Sequence, residues 1–251
     1  MSLRVFITGA SSGIGEYLAY EYAKQKAVLG IAARRRDYLT RVADKCRDFG
    51  SSTTVYELDV NDEAKCQASI ADFISKNNGI DIVIANAGIS GSDNLGSGNS
   101  NTINKILKTN ILGVTNIVMP TIPAMKTQQS GHIVIVSSVA GYRGLIGRGG
   151  YTGSKAAIRT MANGWRYSLS KIGVHVTTIC PGFVATPLVS KNTFPMLFLI
   201  DSEEAATKIV KVIQNRRKTY IVPWPWRIIM PVFKLIPSWI IKIATPKRSE
   251  F

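Results

Sequence analysis

The chain has 251 residues, 45% of them hydrophobic and 21 of them glycine, which excludes a disordered or fibrous protein and predicts one domain around one substantial core. Its 31 Lys and Arg residues against 16 Asp and Glu residues give a net charge of +15, which favours nucleic acid, an anionic membrane or an acidic substrate as a partner. No signature of a nucleic-acid-binding module accompanies this charge, so we expect no nucleic-acid partner.

A glycine-rich turn follows the first predicted strand. Residues 3–8 are apolar, and they lead through Thr8-Gly-Ala-Ser-Ser-Gly-Ile-Gly15 into a helical pattern. A strand, a glycine turn and a helix form a cradle for phosphate: Gly9 allows the tight turn, Gly13 lets backbone approach a pyrophosphate, and Gly15 permits close packing of the helix. Such a turn is a weak signal by itself, and its spacing differs from the commoner G-x-G-x-x-G.

The second predicted strand, residues 27–33, ends in Arg34-Arg-Arg36. In a dinucleotide-binding fold an acid at this strand end selects NAD, whereas an arginine accommodates the 2′-phosphate of NADP. No acid stands here, so Arg34, with Arg35 as the second candidate, favours NADP. A solvated basic turn is the alternative.

Polar and small residues follow the next two strands. A strand over residues 53–58 ends at Asp59-Val60, and a wholly apolar strand over residues 81–85 ends at Asn86-Ala-Gly88. An apolar interior is typical of a strand that is covered on both faces. An Asn followed by two tiny residues indicates backbone that packs close to a ligand.

A later helical pattern carries Asn110 in its interior. Because Asn is a poor residue there, we expect a polar role for it, with an innocuous Asn as the alternative. Pro120 and Pro123 are expected to kink or end this helix. The fifth strand, residues 132–136, delivers Ser138 to the carboxyl edge of the sheet, where open α/β sheets bind ligands.

Tyr151 and Lys155 lie four residues apart at the start of the next helical pattern, so their side chains project from one face. An ammonium close to a phenol favours the phenolate, so we expect Lys155 to lower the pKa of Tyr151 toward the neutral range. Tyr151 is then a candidate acid/base. An ordinary exposed pair on a helix is the alternative.

The remaining elements complete an α/β pattern. A sixth strand over residues 174–179 leads into Pro181-Gly-Phe-Val-Ala-Thr186, and an apolar lid, a helix and a last strand over residues 219–222 follow. This alternation predicts a single doubly wound Rossmann-type domain, residues 1–223, with a roughly seven-stranded parallel sheet flanked by helices.

These motifs stand in the order and spacing of the short-chain dehydrogenase/reductase family, which the chain resembles over residues 3 to about 222. The resemblance implies that Tyr151 exchanges the proton, that Lys155 lowers the phenol's pKa and binds the nicotinamide ribose, and that Ser138 binds the substrate oxygen. It also implies that Asn110 holds a water in a proton relay. Ala85 departs from the family, since many members have a second Asn there.

The resemblance also implies an NADP (NADPH) site. The glycine turn would hold the pyrophosphate, and the ends of later strands would contact adenine, ribose and carboxamide. The residues implied in cofactor binding are Gly9, Ser11, Ser12, Gly13, Ile14, Gly15, Arg34, Arg35, Asp59, Val60, Asn86, Ala87, Gly88, Tyr151, Lys155, Pro181, Gly182, Val184 and Thr186.

Apolar residues surround the predicted substrate pocket, and apolar walls suit a lipophilic ketone or acyl chain. They are Leu145, Ile146, Phe183, Leu188, Phe194 and Met196, for each of which core packing is the alternative. The expected function is that of an NADP-dependent carbonyl reductase or, in the reverse direction, of an alcohol dehydrogenase. The resemblance also implies a homodimer or homotetramer. Reduction of a 3-oxoacyl carrier, and a non-catalytic NADP-binding regulatory or membrane-scaffold protein, are the alternatives.

A basic, apolar tail covers residues 224–251. Pro231 and Pro237 argue against one membrane-spanning helix and favour two short helices. These helices are expected either to dock on a subunit or to lie in a membrane interface through residues 224–243, with tryptophans at the headgroup level.

Three cysteines, Cys46, Cys66 and Cys180, form neither a disulfide framework nor a metal site, and they favour a reducing compartment. A strand begins almost at the first residue and leaves no room for a signal peptide. We therefore expect a cytoplasmic protein, with contact at the inner face of a membrane as an option, and no metal.

Overall fold

The computed structural model describes residues 2–190, 195–235 and 237. In this part of the chain seven parallel strands form one sheet with the spatial order β3-β2-β1-β4-β5-β6-β7. The strands are Arg4–Thr8 (β1), Val28–Ala33 (β2), Thr53–Glu57 (β3), Ile82–Ala85 (β4), Gly131–Val136 (β5), Val174–Pro181 (β6) and Thr219–Val222 (β7). The chain order reverses between β1 and β4, which is the topological switch point of a doubly wound sheet. The predicted fold class is confirmed.

Helices cover both faces of the sheet. Those described are Gly13–Lys24 (α1), Arg36–Asp48 (α2), Glu63–Asn77 (α3), Asn101–Leu107 (α4), Gly113–Val118 (α5), Ile122–Gln128 (α6), Gly149–Leu169 (α7), Ser202–Gln214 (α8) and Pro225–Leu235 (α9). One buried core lies between the sheet and α1, α2 and α8, and a second lies between the sheet and α3, α5, α6 and α7.

Strand residues supply the two cores alternately. In β1, Val5 and Ile7 belong to the first core and Phe6 belongs to the second. The same alternation holds in β4, where Ile84 faces the first core and Val83 the second. Because successive strand side chains point to opposite faces, a strand covered on both sides must be apolar throughout, as the sequence of β4 indicated.

The helical stretch around Asn110 is broken at two places. A π-helical turn, Lys108–Leu112, joins α4 to α5 and contains Asn110. A short 3₁₀ turn, Met119–Thr121, separates α5 from α6 and contains Pro120. The predicted break is therefore confirmed at Pro120, whereas Pro123 lies in the first turn of α6. The π turn is where the chain accommodates the mid-helix Asn.

The first tail helix, α9, packs against the body of the protein. Met230 is buried, and the ring of Trp226 packs edge to face on Phe183, with 5.8 Å between the centroids. Pro231 lies inside α9, so this proline does not end the helix. Residues 238–243 of the predicted tail contact lie outside the described residues. Among the helices that the structure describes, none is both long and apolar enough to cross a bilayer.

Gly30 of β2 is a position where a methyl group has no room. A Cβ built there would lie 2.5 Å from Phe6 and 2.7 Å from Phe73, two buried rings that pack edge to face. We predict that Gly30→Ala lowers the free energy of unfolding by about 1–3 kcal/mol, as overpacking does. Urea denaturation measures it.

Gly164 provides the matched control. It lies in α7 with open space where its Cβ would stand, so Gly164→Ala should raise the free energy of unfolding by up to about 1 kcal/mol through helix propensity. Equal effects of the two substitutions would contradict the packing described for β2.

Candidate active site

One pocket lies at the carboxyl ends of the strands, over the switch point between β1 and β4. All of the residues predicted to act in catalysis or to bind the cofactor line it except Gly15 and Asn110. Its lining is Gly9, Ser11, Ser12, Gly13, Ile14, Ala32, Ala33, Arg34, Arg35, Leu58, Asp59, Val60, Asn86, Ala87, Gly88, Ile89, Thr109, Val136, Ser137, Ser138, Tyr151, Lys155, Pro181, Gly182, Val184, Thr186, Pro187, Leu188 and Val189.

Hydrogen bonds fasten the ends of β1 and β4 together at the pocket floor. The Asn86 side-chain nitrogen donates to the carbonyls of Thr8, at 3.0 Å, and Gly9, at 3.3 Å. In return the Thr8 hydroxyl accepts from the backbone nitrogens of Asn86 and Ala87. Both amide protons of Asn86 are therefore used, and its Oδ1 accepts no hydrogen bond from the described part of the chain.

The glycine turn owes its shape to this contact. Gly9 has a φ of +67°, and a Cβ on it would lie 2.9 Å from the Asn86 amide nitrogen. A Cβ on Gly15 would lie 2.5 Å from the same nitrogen. Gly15 thus sits behind the pocket wall and lets α1 pack against the turn, the role that the sequence indicated for it.

The first turn of α1 keeps backbone donors available to the pocket. Ser12 is the N-cap residue, but its side chain makes no capping hydrogen bond. Its hydroxyl instead accepts from Arg35 Nη2 at 2.8 Å, and the Ser11 hydroxyl accepts from the same nitrogen at 3.0 Å. Free N–H groups at a helix N-terminus attract anions, so this end of the pocket suits a phosphate.

Two arginines stand at the tip of β2. The Arg35 guanidinium stacks on the Tyr38 ring, 4.4 Å from its centroid, and Arg41 stacks on the same ring at 4.5 Å. Arg34 Nη1 lies 4.0 Å from Asp59 Oδ2, and both side chains are more than one third exposed, so this ion pair is weak. The lip of the pocket beside the glycine turn is therefore cationic.

Tyr151 reaches the pocket from the first turn of α7, beside Ser138 at the end of β5. Burial raises the pKa of its phenol, while the hydrogen bond with Ser138 and the charge of Arg148 oppose that rise. The predicted lowering by Lys155 is therefore wrong for this structure. Removal of the phenol from water outweighs the opposing interactions, and the Lys155 amine is directed elsewhere.

Lys155 is 5% exposed, and its Nζ donates to the Val136 carbonyl at 3.0 Å. Burial lowers the pKa of this amine to about 8. The Ser137 hydroxyl donates to the Lys155 carbonyl at 2.7 Å, which ties α7 to the end of β5. Tyr151 and Lys155 do share one face, as predicted, and both line the pocket.

Asn110 lies beneath the pocket and is fully buried. Its Oδ1 accepts from the Ile89 nitrogen at 2.8 Å, and its Nδ2 donates to the Ile89 carbonyl at 2.9 Å and to the Ser154 hydroxyl at 3.0 Å. Both amide protons are used, so the side chain connects the π turn to α7 and to the segment that follows β4. The expected water would have to bind to the remaining Oδ1 lone pair or to backbone.

Asp93 supports the site from outside the pocket, and it was not identified from the sequence. It is 4% exposed, and its Oδ1 accepts from the Gly150 nitrogen at 3.0 Å, at the N-terminus of α7. A carboxylate there complements the helix dipole and fixes the turn that carries Tyr151. The available signal was charge: Asp93 is the one charged residue between Gly88 and Asn101.

The predicted apolar substrate wall is only partly present. Leu188 lines the pocket, but Phe183 does not, because its ring packs on Trp226. Leu145 and Ile146 are exposed outside the pocket, and Met196 does not line it either. Phe194 lies outside the described residues.

Comparison with known proteins decides the family. The family model described as short chain dehydrogenase matches residues 4–195. The chain belongs to the short-chain dehydrogenase family. It is 35% identical over 241 residues to an uncharacterized oxidoreductase of Myxococcus xanthus, with 95% of this chain and 94% of that protein covered.

Other short-chain dehydrogenases extend the likeness. The chain is 32% identical over 222 residues to 17-beta-hydroxysteroid dehydrogenase 13 of Mus musculus, covering 87% of this chain and 73% of that protein. A solved short-chain type dehydrogenase/reductase from Mycobacterium marinum matches with a TM-score of 0.81 and 25% identity, covering 88% of this chain and 93% of that one. As a short-chain dehydrogenase the protein is an oxidoreductase, of a family that uses NAD or NADP and acts on small molecules.

The Asn110 brace generates a prediction about stability. Asn110→Ala leaves the half-buried N–H and carbonyl of Ile89 without their partner, which should lower the free energy of unfolding by about 2–4 kcal/mol. Ser154→Ala removes one of the three hydrogen bonds and should cost about 1 kcal/mol. Chemical denaturation of both variants measures the difference, and an Asn110→Ala variant as stable as the wild type would contradict the brace.

Proposed function

We propose that this short-chain dehydrogenase is an NADP(H)-dependent oxidoreductase that transfers hydride between the nicotinamide and the carbonyl or alcohol carbon of a lipophilic substrate. One observation carries the proposal. Tyr151, Ser138 and Lys155 line the same pocket as the glycine turn and the two arginines at the tip of β2. A candidate proton donor and a cationic end that suits a phosphate thus lie in one pocket.

The residues present fit a dinucleotide. Backbone approaches the pocket at Gly9 and Gly13 where a Cβ would collide, and the N-terminus of α1 has no side-chain cap. In the proposal the turn from Gly9 to Ile14 holds the pyrophosphate, and Asp59 with Val60 flanks the adenine. Asn86 Oδ1 accepts from a ribose hydroxyl, since the amide protons are used. The later residues, Ala87, Gly88, Pro181, Gly182, Val184 and Thr186, enclose the nicotinamide half.

The bound cofactor supplies the hydride, and the protein supplies the proton. A raised pKa keeps Tyr151 protonated at neutral pH, which is the form that can donate from its Oη to a carbonyl oxygen. Ser138 donates to the Pro181 carbonyl at a long 3.3 Å, so its hydroxyl can turn toward the same substrate oxygen at small cost. The phenolate left behind is stabilised by Ser138 and Arg148.

Lys155 holds the cofactor in the proposal. Below a pH of about 8 its buried amine is charged, and it lines the same pocket as Tyr151. It also retains donors beyond the one used by the Val136 carbonyl, and one of these would bind the nicotinamide ribose.

Subunit pairing is part of the proposal. The helical stretch around Asn110 exposes Leu112 and Met119, and α7 exposes Tyr167. Large apolar side chains on these two neighbouring stretches support a homodimer or homotetramer that pairs through them.

We predict that Tyr151→Phe lowers turnover of a ketone by about 100-fold or more, because the proton donor is lost. Binding of NADPH, followed by titration of protein fluorescence, should stay within twofold of the wild type. Tyr56→Phe, which removes a hydroxyl that lies outside the pocket and donates to Asp72, is the control and should leave both quantities unchanged. Full activity of Tyr151→Phe would remove the assigned role.

The two arginines generate a prediction about cofactor choice. Arg34→Met and Arg35→Met should each weaken NADPH binding by about 10-fold or more, as loss of a charge-assisted hydrogen bond does, and leave NADH binding unchanged. Arg41→Met removes the same charge from the other face of Tyr38 and should leave the ratio of the two affinities unaltered. Preference of the wild type for NADH, or equal changes in all three variants, would overturn the assignment.

A further inference from the structure

Exposed apolar side chains concentrate around one side of the pocket. Of the sixteen large hydrophobic residues that are exposed in the described part of the chain, ten lie in three segments next to it. We call these ten the rim surface: Leu145, Ile146, Leu188, Leu197, Phe198, Leu199, Trp224, Ile228, Val232 and Leu235. A concentration of exposed apolar side chains on a folded protein marks an interaction site.

The helix α9 is apolar on two opposite faces. Trp226 and Met230 pack toward the body, and Met230 is 3% exposed. Ile228, Val232 and Leu235 follow at helical spacing on the outer face and are 64%, 59% and 82% exposed. Packing on the body therefore explains why one face of α9 is apolar. The apolar outer face is accounted for only if it contacts something outside this chain.

Direct contacts join the three segments to the pocket. A Cβ on the pocket residue Gly182 would lie 2.5 Å from the Trp226 ring of α9. The Phe198 ring packs edge to face on Trp226, with 6.2 Å between centroids, which places the lid beside α9. Arg143 Nη1 donates to the Phe233 carbonyl at 2.6 Å, which fixes the loop before Leu145 to the same helix. Leu188 lines the pocket itself.

Charge selects the partner of this surface. The sequences 139–149, 182–200 and 223–235, which carry the loop, the lid and α9, contain no Asp or Glu and five basic residues, Arg143, Arg148, Lys191, Arg227 and Lys234. A second copy of the chain that paired through the same surface would bring an equally basic, acid-free surface to the contact, and the two would repel each other. Tryptophans and arginines beside an apolar helix face suit the interface of an anionic bilayer.

We propose that the rim surface docks the protein on an anionic lipid bilayer, with α9 lying in the interface and the pocket mouth facing the lipid. Docking itself stands on the exposed apolar side chains and their charge. A second step rests on the proposed function: a lipophilic carbonyl or alcohol substrate would enter the pocket from the bilayer past Leu188 and the lid, without crossing water.

Vesicle flotation of the full chain tests the docking. The wild type should float with vesicles of phosphatidylcholine and phosphatidylglycerol, and should float less with phosphatidylcholine alone and less as salt is raised. Ile228→Glu places a charge on the outer face of α9 and should lower partition by roughly tenfold or more. Leu3→Glu makes the same charge change at the opposite end of the sheet and should leave partition unaltered.

The outcomes separate docking from the proposed function. Turnover of a short, water-soluble ketone should be equal in the wild type and Ile228→Glu, since Ile228 does not line the pocket. A wild type that floats but reduces no ketone would refute the function and leave the docking standing. Absence of flotation, or equal flotation of Ile228→Glu, would overturn the docking. A wild-type dimer that binds no vesicles and that dissociates on Ile228→Glu would also overturn the docking, because a second copy would then cover the surface.

Discussion

The burial of the Lys155 amine is the constraint on which the site depends. An ammonium is costly to withdraw from water, and Lys155 is 5% exposed, with its amine donating to the backbone carbonyl of Val136. The fold must therefore hold it in place, and it does so from several directions. Ser137 binds the Lys155 backbone, and Asp93 anchors the start of α7. The same burial withdraws Tyr151 from water, so the electrostatic state of both groups follows from one packing arrangement.

The pocket exists because the ends of distant strands are fastened to one another. Thr8 and Asn86 exchange hydrogen bonds across the switch point, and the glycine turn closes over them with no space for a Cβ at Gly9 or Gly15. This arrangement leaves the N-terminus of α1 and the arginines at the tip of β2 facing the same cleft as Tyr151. The end of the pocket that suits a phosphate and the end that holds Tyr151 are thereby joined in one cleft, and the lid and α9 then add an apolar border to its mouth.

Sequence patterns predicted the elements well because the signals were local. The apolar strands, the glycine turn, the proline break at Pro120 and the shared face of Tyr151 and Lys155 all depend on neighbouring residues, and the fold class and the family are confirmed. The errors concern long-range packing. An i,i+4 spacing does not reveal that burial raises the pKa of Tyr151. The sequence around Phe183 likewise does not reveal that its ring packs on Trp226 instead of lining the pocket. Asp93 meets Gly150 across 57 residues. The NADP preference and the catalytic roles remain predictions.

Titration of Lys155 by carbon-13 NMR tests the central claim most directly. In protein labelled at the lysine ε-carbon, the resonance that disappears in Lys155→Met belongs to this residue. The account predicts that it titrates with a pKa of about 8, because burial disfavours the ammonium. A midpoint at the ordinary lysine value, about 10.4, would show that the amine is solvated and would contradict the arrangement on which the site is built.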